Sequence, residues 1–356
     1  MLQYYNNKRK KRPFMKRILY FSTIIALHTG IATATPLAFA TEQAINAIKT
    51  ATIQHTIVQN TLSYPTPSTQ TQNTSTPMYG TLKTYGEYND DGMIGHNGGD
   101  TQSALANIWL DWQHATDDIT PNDLKSFDSK YDIATFGLSG HNKQTKHSTY
   151  NWTFYSGYIN GTSKNSELHS AEHGGFIGIH NRINTKNFVI NSTINTGSIK
   201  HNTDYMSLHD KYINIWFGAG INLAYSIKLF DTFNICPNLS IGYTWIKNQT
   251  QNELYSDDLQ DQTFGFLELT PGILATKHIA DNWFGTLSVK HTVSSIADKH
   301  IMLNDTEFTL PNINNYTEFG ITLKKQANSF VFTANINRRE GDICGWAGGL
   351  NIKYIF

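Results

Sequence analysis

The residues best suited to chemistry lie in one short stretch: His201, Asp204, His209 and Asp210. Clustered imidazoles and carboxylates could hold a reacting water and pass its proton, as a hydrolase built on a loop rim requires. The signatures that would accompany such a site are missing. The chain has no Gly-x-Ser-x-Gly elbow and no His-Glu-x-x-His pair. His169 with His173, and His291 with His300, could be imagined as metal ligands. Isolated loop histidines are far more often bystanders. Arg339-Glu340-Gly341-Asp342 reads as a solvated, charged turn. Two cysteines, Cys236 and Cys344, form neither a Cys-x-x-Cys motif nor a Cys/His zinc pattern. No catalytic, cofactor-binding or metal residue is therefore nominated, and the chain is read as a non-enzyme that needs no cofactor.

The elements that must carry these residues are strands. From about Ala104 onward, apolar and polar residues alternate in segments of roughly ten, rich in Tyr, Phe, Thr, Ile and Val. About twelve segments follow, from Ala106–His114 to Trp346–Phe356. Their length suits a tilted membrane strand of about 9–11 residues better than a soluble strand of about 5–6. The connections are expected to alternate. Residues 163–172, 197–210, 248–262 and 294–315 read as long loops. Residues 183–185, 229–233, 277–281 and 326–329 read as short turns. An up-and-down barrel crossing a membrane has such a two-beat rhythm, with long loops on one rim and tight turns on the other.

The faces agree with a membrane barrel. Phe319, Ile321 and Leu323 share one phase, against Glu318, Thr322 and Lys324 in the other. Phe330, Phe332, Ala334 and Ile336 oppose Thr333, Asn335 and Asn337 in the same way. Such a barrel turns its apolar face to lipid and its polar face to the lumen. That explains how 39% hydrophobic residues and a mean hydropathy of −0.39 coexist with a membrane reading. A soluble barrel would show the same period with the faces exchanged. Lys plus Arg and Asp plus Glu are 28 each, so nothing points to nucleic acid.

The beginning of the chain carries a basic stretch, Lys8 to Arg12, then Lys16-Arg17 and an apolar run from Ile18 to Ala34. Ala38-Phe39-Ala40 completes the small-x-small pattern of a secretory signal peptide, residues 1–40, with cleavage after Ala40. An uncleaved anchor is the alternative, and translation could start at Met15 rather than Met1. Residues 41–103 form a short passenger-like segment, linker and lead-in. Within it, Thr41–Thr61 is a weak helix or irregular, because its β-branched content is high. Tyr64–Pro77 is a Ser/Thr/Gln/Pro linker. Residues 78–103 are the candidate occupant of a barrel lumen.

Residues 104–356 resemble the C-terminal translocator domain of autotransporters (type V secretion). The resemblance rests on three stretches. Tyr131-Asp132-Ile133-Ala134-Thr135-Phe136-Gly137-Leu138 is similar to the family's second strand. Phe233 to Tyr243, with Pro237 before an apolar-Gly-Tyr run, is similar to the seventh. Trp346 to Phe356 resembles the last strand, with Asn351-Ile352 in place of the usual residues beside Leu350. The resemblance implies an all-β, twelve-stranded, antiparallel up-and-down barrel, monomeric, with a helix or extended segment in its lumen. It implies the outer membrane of a Gram-negative bacterium, with membrane lipid, periplasmic chaperones and the β-barrel assembly machinery as partners. Leu350, Ile352, Tyr354 and Phe356 would be the assembly signal that this machinery reads. The implied function is to display or translocate a short N-terminal segment for adhesion or surface interaction. The alternative is a passenger-less channel for small solutes. On this strand order Cys236 and Cys344 sit near opposite rims, separated by most of an apolar band about 25 Å tall. A disulfide needs Cα atoms within about 7 Å, so the two should not pair.

Overall fold

The computed structural model describes residues 34–62, 105–121, 125–140, 143–145, 148–185, 187–205, 208–250, 262–296, 300–303, 306–309 and 315–356. Residues 1–33, 63–104 and the segment 78–103 within them lie outside the described residues. The structure is one helix, α1 (Ala34–Leu62), and a ring of long antiparallel strands. The first six are β1 (Leu105–Ile119), β2 (Phe127–Gly140), β3 (Thr149–Lys164), β4 (Leu168–Asn184), β5 (Phe188–Tyr205) and β6 (Leu208–Tyr225). The second six are β7 (Phe233–Thr250), β8 (Gln262–Ala280), β9 (Trp283–Ile296), β10 (Tyr316–Ala327), β11 (Phe330–Gly341) and β12 (Ile343–Ile355). Each pairs with its neighbour in sequence. β12 then pairs antiparallel with β1, from Asn107 opposite Ile355 to Ile119 opposite Ile343, and closes the ring. Closure leaves no edge of unpaired backbone, which an apolar solvent would not tolerate.

The alternation of the sequence becomes an alternation of wall faces, with lumen and exterior exchanged relative to a soluble barrel. Leu110, Phe154, Ile177, Ile194, Leu287 and Ile321 point outward and are exposed. Asn214, Thr203, His201 and Ser163 point inward and are buried. An exposed aliphatic and aromatic belt around the whole wall costs free energy in water and is favourable in lipid. Near the rim where β1 begins, Phe330, Tyr354 and Phe356 cluster, with ring centroids 5.0 and 5.2 Å apart. Leu350, Ile352 and Phe356 lie on the outer face of β12, and Asn351 is buried on the inner one.

Two features differ from the sequence expectation. The strands are longer, from 12 residues in β10 to 19 in β8. They absorb segments that read as loops. Residues 163–172 hold only the connection 165–167, and residues 197–210 only 206–207. The polarity of these segments suggested loops. In a barrel whose lumen is polar, however, an inward Ser163, Ser170 or Glu172 does not interrupt a strand. The two-beat rhythm survives only in part. The rim where β1 ends, here the loop rim, carries the connections 251–261 and 297–315 but also the single residue 342 between β11 and β12. The opposite rim, the turn rim, carries 281–282 and 328–329, with Asn282 and Asn328 at positive φ. Asparagine tolerates that conformation better than most residues.

The helix is the second difference. Thr41–Thr61 is not irregular: it forms most of the 29-residue α1. Its threonines return their hydroxyls to the helix, Thr50 to the Asn46 carbonyl at 2.9 Å and Thr56 to that of Thr52 at 3.0 Å. Enclosure supplies what propensity lacks. Its polar side chains find partners on the strands, and its apolar ones, among them Ile45, Ile48, Ile53 and Ile57, are buried in one cluster with Ile119, Phe127, Tyr131 and Trp216 of the wall.

Candidate functional site

The site is the lumen and the helix that occupies it. α1 leans on β5, β6 and β7. The close approach to β6 depends on glycine. A Cβ at Gly218 would lie 1.9 Å from the Gln54 Nε2, and one at Gly220 would lie 2.6 Å from the Val58 Cγ1.

The contacts fix the direction of the helix. Its early residues meet the loop-rim ends of the strands. Asn46 donates to Thr203 Oγ1 at 3.5 Å, and Asn214 donates to Thr50 Oγ1 at 2.8 Å. Its last residue meets the turn-rim end, where Asn191 donates to the Leu62 carbonyl at 3.2 Å. α1 therefore runs from the loop rim to the turn rim, and its end lies near the rim where β1 begins.

A buried ionic contact ties it there. Lys49 Nζ lies 3.1 Å from Glu172 Oε2, and neither side chain is reached by solvent. The ammonium also donates to the Thr162 carbonyl and to Ser163 Oγ, each at 2.9 Å. Ser163 in turn donates to the other Glu172 oxygen at 2.7 Å. An ion pair out of water is stable only when its remaining donors and acceptors are satisfied in this way. Lys49 is the single Lys, Arg, Asp or Glu from Gln43 to Leu62. That isolation was the signal in the sequence, although it does not name the partner.

A second knot lies just below. Arg339 Nη1 donates to Asp117 Oδ2 at 2.8 Å and to the Tyr131 hydroxyl at 3.0 Å, while its Nε donates to Glu318 Oε2 at 3.2 Å. Tyr131 shares a hydrogen bond of 2.9 Å with Thr56 of α1. His55 Nδ1 lies 2.6 Å from Glu268 Oε2. The helix, β1, β2, β8, β10 and β11 are thus joined across the lumen in one polar layer. Arg339 corrects the sequence reading: it is buried at 4% exposure and is no solvated turn. Glu340 and Gly341 beside it are exposed. Position 339 falls on the inward phase of β11, which the charged run obscured.

Between the turn-rim half of α1 and the strands across from it lies a chamber of about 440 Å³. Its lining includes Arg182, Lys324, Lys353, Trp109 and Asn351.

The candidate hydrolytic cluster is not brought together. His201 points into the lumen and is fully buried, with Nε2 3.3 Å from Thr50 Oγ1 and 3.2 Å from Asn214 Nδ2. Asp204 and His209 face one another across β5 and β6 at 2.6 Å on the exposed rim. Asp210 lies in β6 opposite Thr203. His169 and His173 point outward, and His291 contacts Thr317 on an exposed surface. His300 lies in a short hairpin, 300–309, within the β9–β10 connection. Among the described residues no group of three His, Cys, Asp or Glu is placed to hold a metal. Cys236 and Cys344 are free thiols, one near the start of β7 at the turn rim and one near the start of β12 at the loop rim.

A closed ring of twelve strands threaded by a helix N-terminal to it decides the fold. It is that of an autotransporter translocator domain. The β-domain of the Bordetella autotransporter BrkA is similar at TM-score 0.58 and 10% identity, over 71% of this chain and 100% of that one. The translocator domain of NalP from Neisseria meningitidis is similar at TM-score 0.58 and 12% identity, over 74% and 91%. The transport unit of AIDA-I from Escherichia coli is similar at TM-score 0.55 and 11% identity, over 73% and 93%. Identity this low speaks for the fold alone. No family model and no curated protein sequence matches the chain.

Proposed function

We propose that this protein is an outer-membrane barrel of autotransporter type that draws its N-terminal segment into the lumen and holds it there. The observation that carries the reading is the course of α1, tied by Lys49 and Glu172 and directed from loop rim to turn rim. The apolar belt supports insertion in a lipid bilayer. β1 begins and β12 ends at the turn rim, which in this reading is the periplasmic one, with the loop rim facing the outside. Residues 1–40 serve as the export leader, cut between Ala40 and Thr41, and 104–356 as the barrel. Periplasmic chaperones deliver the chain. The assembly machinery reads Leu350, Ile352, Tyr354 and Phe356 on the outward face and end of β12. Cutting after Ala40 removes residues 34–40 of α1, so the part presented at the surface for adhesion or surface interaction is the new N-terminus at Thr41, at the loop-rim end of the helix. Residues 42–62 are enclosed, and the connection 63–104 begins and ends at the turn rim.

The test places a peptide epitope directly before Thr41, in the chain with its leader, and treats intact cells with protease. The epitope should be lost from outside. An epitope that survives while the segments 251–261 and 297–315 are cut would show that nothing is displayed.

A second reading, a channel for small solutes, is favoured by the polar chamber beside the helix. In it α1 acts as the plug.

A further inference from the structure

The lumenal chamber holds an imbalance of charge. Of the charged side chains that line it, Arg182, Lys290, Lys324, Arg339 and Lys353 are cationic, and Glu318 alone is a carboxylate. Glu318 is already engaged. It accepts from Arg339 at 3.2 Å and lies 3.7 Å from Lys290. Arg339 has Asp117 as well. Lys324 and Lys353 have no carboxylate within ion-pair distance among the described residues. The Lys324 ammonium stands 5.7 Å from the Phe284 ring centroid, a contact that leaves all three of its N–H donors available.

The geometry of the barrel forces these cations together. Lys324 is on the inner phase of β10 and Lys353 on that of β12, with β11 between them. Arg182 is on the inner phase of β4, where its Nε donates to Asn184 Oδ1 at 2.8 Å, and it adds positive charge to the chamber without being unpaired. All three lie toward the turn rim and line the same chamber. Like charges gathered in a partly desolvated space destabilise the fold unless a counter-charge offsets them. Neutral donors stand around the same space, among them Thr286, Thr333 and Asn351.

We propose that this chamber is a binding site for a small oxyanion, with Lys324, Lys353 and Arg182 as its ligands. The volume of about 440 Å³ admits a phosphate-sized or small polycarboxylate solute with part of its water. The barrel wall separates the chamber from the apolar belt, so the anion comes from solution and not from a lipid headgroup. The guanidinium and the two ammonium groups would bind it by charge-assisted hydrogen bonds. The inference does not depend on whether the protein displays its N-terminal segment.

The test is calorimetric titration of inorganic phosphate into the full chain, folded in a neutral detergent. Wild type should bind, and Lys324→Gln/Lys353→Gln should bind about tenfold or more weakly, because two charge-assisted hydrogen bonds are lost. Lys277→Gln, on the exposed turn-rim end of β8, should bind as wild type does. Lys353 lies in the closing strand. If its substitution prevents folding, judged by heat-modifiable mobility of the barrel, Lys324→Gln alone should still weaken binding several-fold. Absence of phosphate binding by wild type would overturn the site. So would equal affinity in wild type and in the folded lysine variant.

Discussion

Lys49 of the lumenal helix and Glu172 of β4 face each other at 3.1 Å with no solvent around either. The pair joins a segment far from the barrel in sequence to the wall that encloses it, and it makes the seat of the helix testable.

Glu172→Ala leaves the Lys49 charge buried without its counter-charge, a loss of about 3–5 kcal/mol of helix seating. Lys49 is also the one trypsin site from Gln43 to Leu62. Limited trypsin digestion of the folded barrel should spare Lys49 in wild type and cut there in Glu172→Ala. Lys49→Met combined with Glu172→Leu removes both charges and should restore much of the thermal stability. Equal protection of Lys49 in wild type and Glu172→Ala would mean that the pair does not hold the helix.

Removal of residues 42–62 should open the lumen. In planar bilayers the full chain should conduct weakly. The deletion should conduct more strongly and prefer anions, because the cations of the chamber remain. Equal conductance of the two proteins would show that α1 is no plug.

Cys236 and Cys344 should both react with a maleimide after denaturation without reductant, adding two labels. Their places near opposite rims forbid a bridge. A mass corresponding to an intramolecular disulfide would contradict the strand order itself.

Phe356→Glu places a charge within the aromatic cluster of Phe330, Tyr354 and Phe356. Membrane-inserted protein should fall several-fold in cells, while barrel that does assemble keeps its closure between β1 and β12. Normal amounts of inserted Phe356→Glu would remove the assembly role proposed for Leu350, Ile352, Tyr354 and Phe356.

The lumenal site was legible in part. The inward phase of Lys324 was legible from the alternation of its strand, whereas Lys49, the lone charged residue between Gln43 and Leu62, was not singled out. The histidine–aspartate cluster of 201–210, from which no site was nominated, is dispersed because alternation along a strand splits neighbours between two faces: His201 entered the lumen and His209 met Asp204 at the rim. Arg339 was hidden for the same reason, within a run whose neighbours point the other way.

The sequence by itself determined which residues face outward, how many strands there are and that the last must close on the first. Those properties follow from a two-residue period and from the need to pair every backbone group, and both are local. Only the tertiary structure decided that residues 42–62 fill the lumen, and that Lys49 finds Glu172 and Arg339 finds Asp117. Such pairs join positions 123 and 222 residues apart: the closed ring sets the helix against β4, and it puts β1 and β11 on either side of β12, where Asp117 and Arg339 both lie opposite Gly345. Propensity argued against a helix rich in β-branched residues. Enclosure reversed that, because inside the ring the helix buries Ile45, Ile48 and Ile53 among apolar wall residues and hydrogen-bonds Lys49 and Thr56 to the strands.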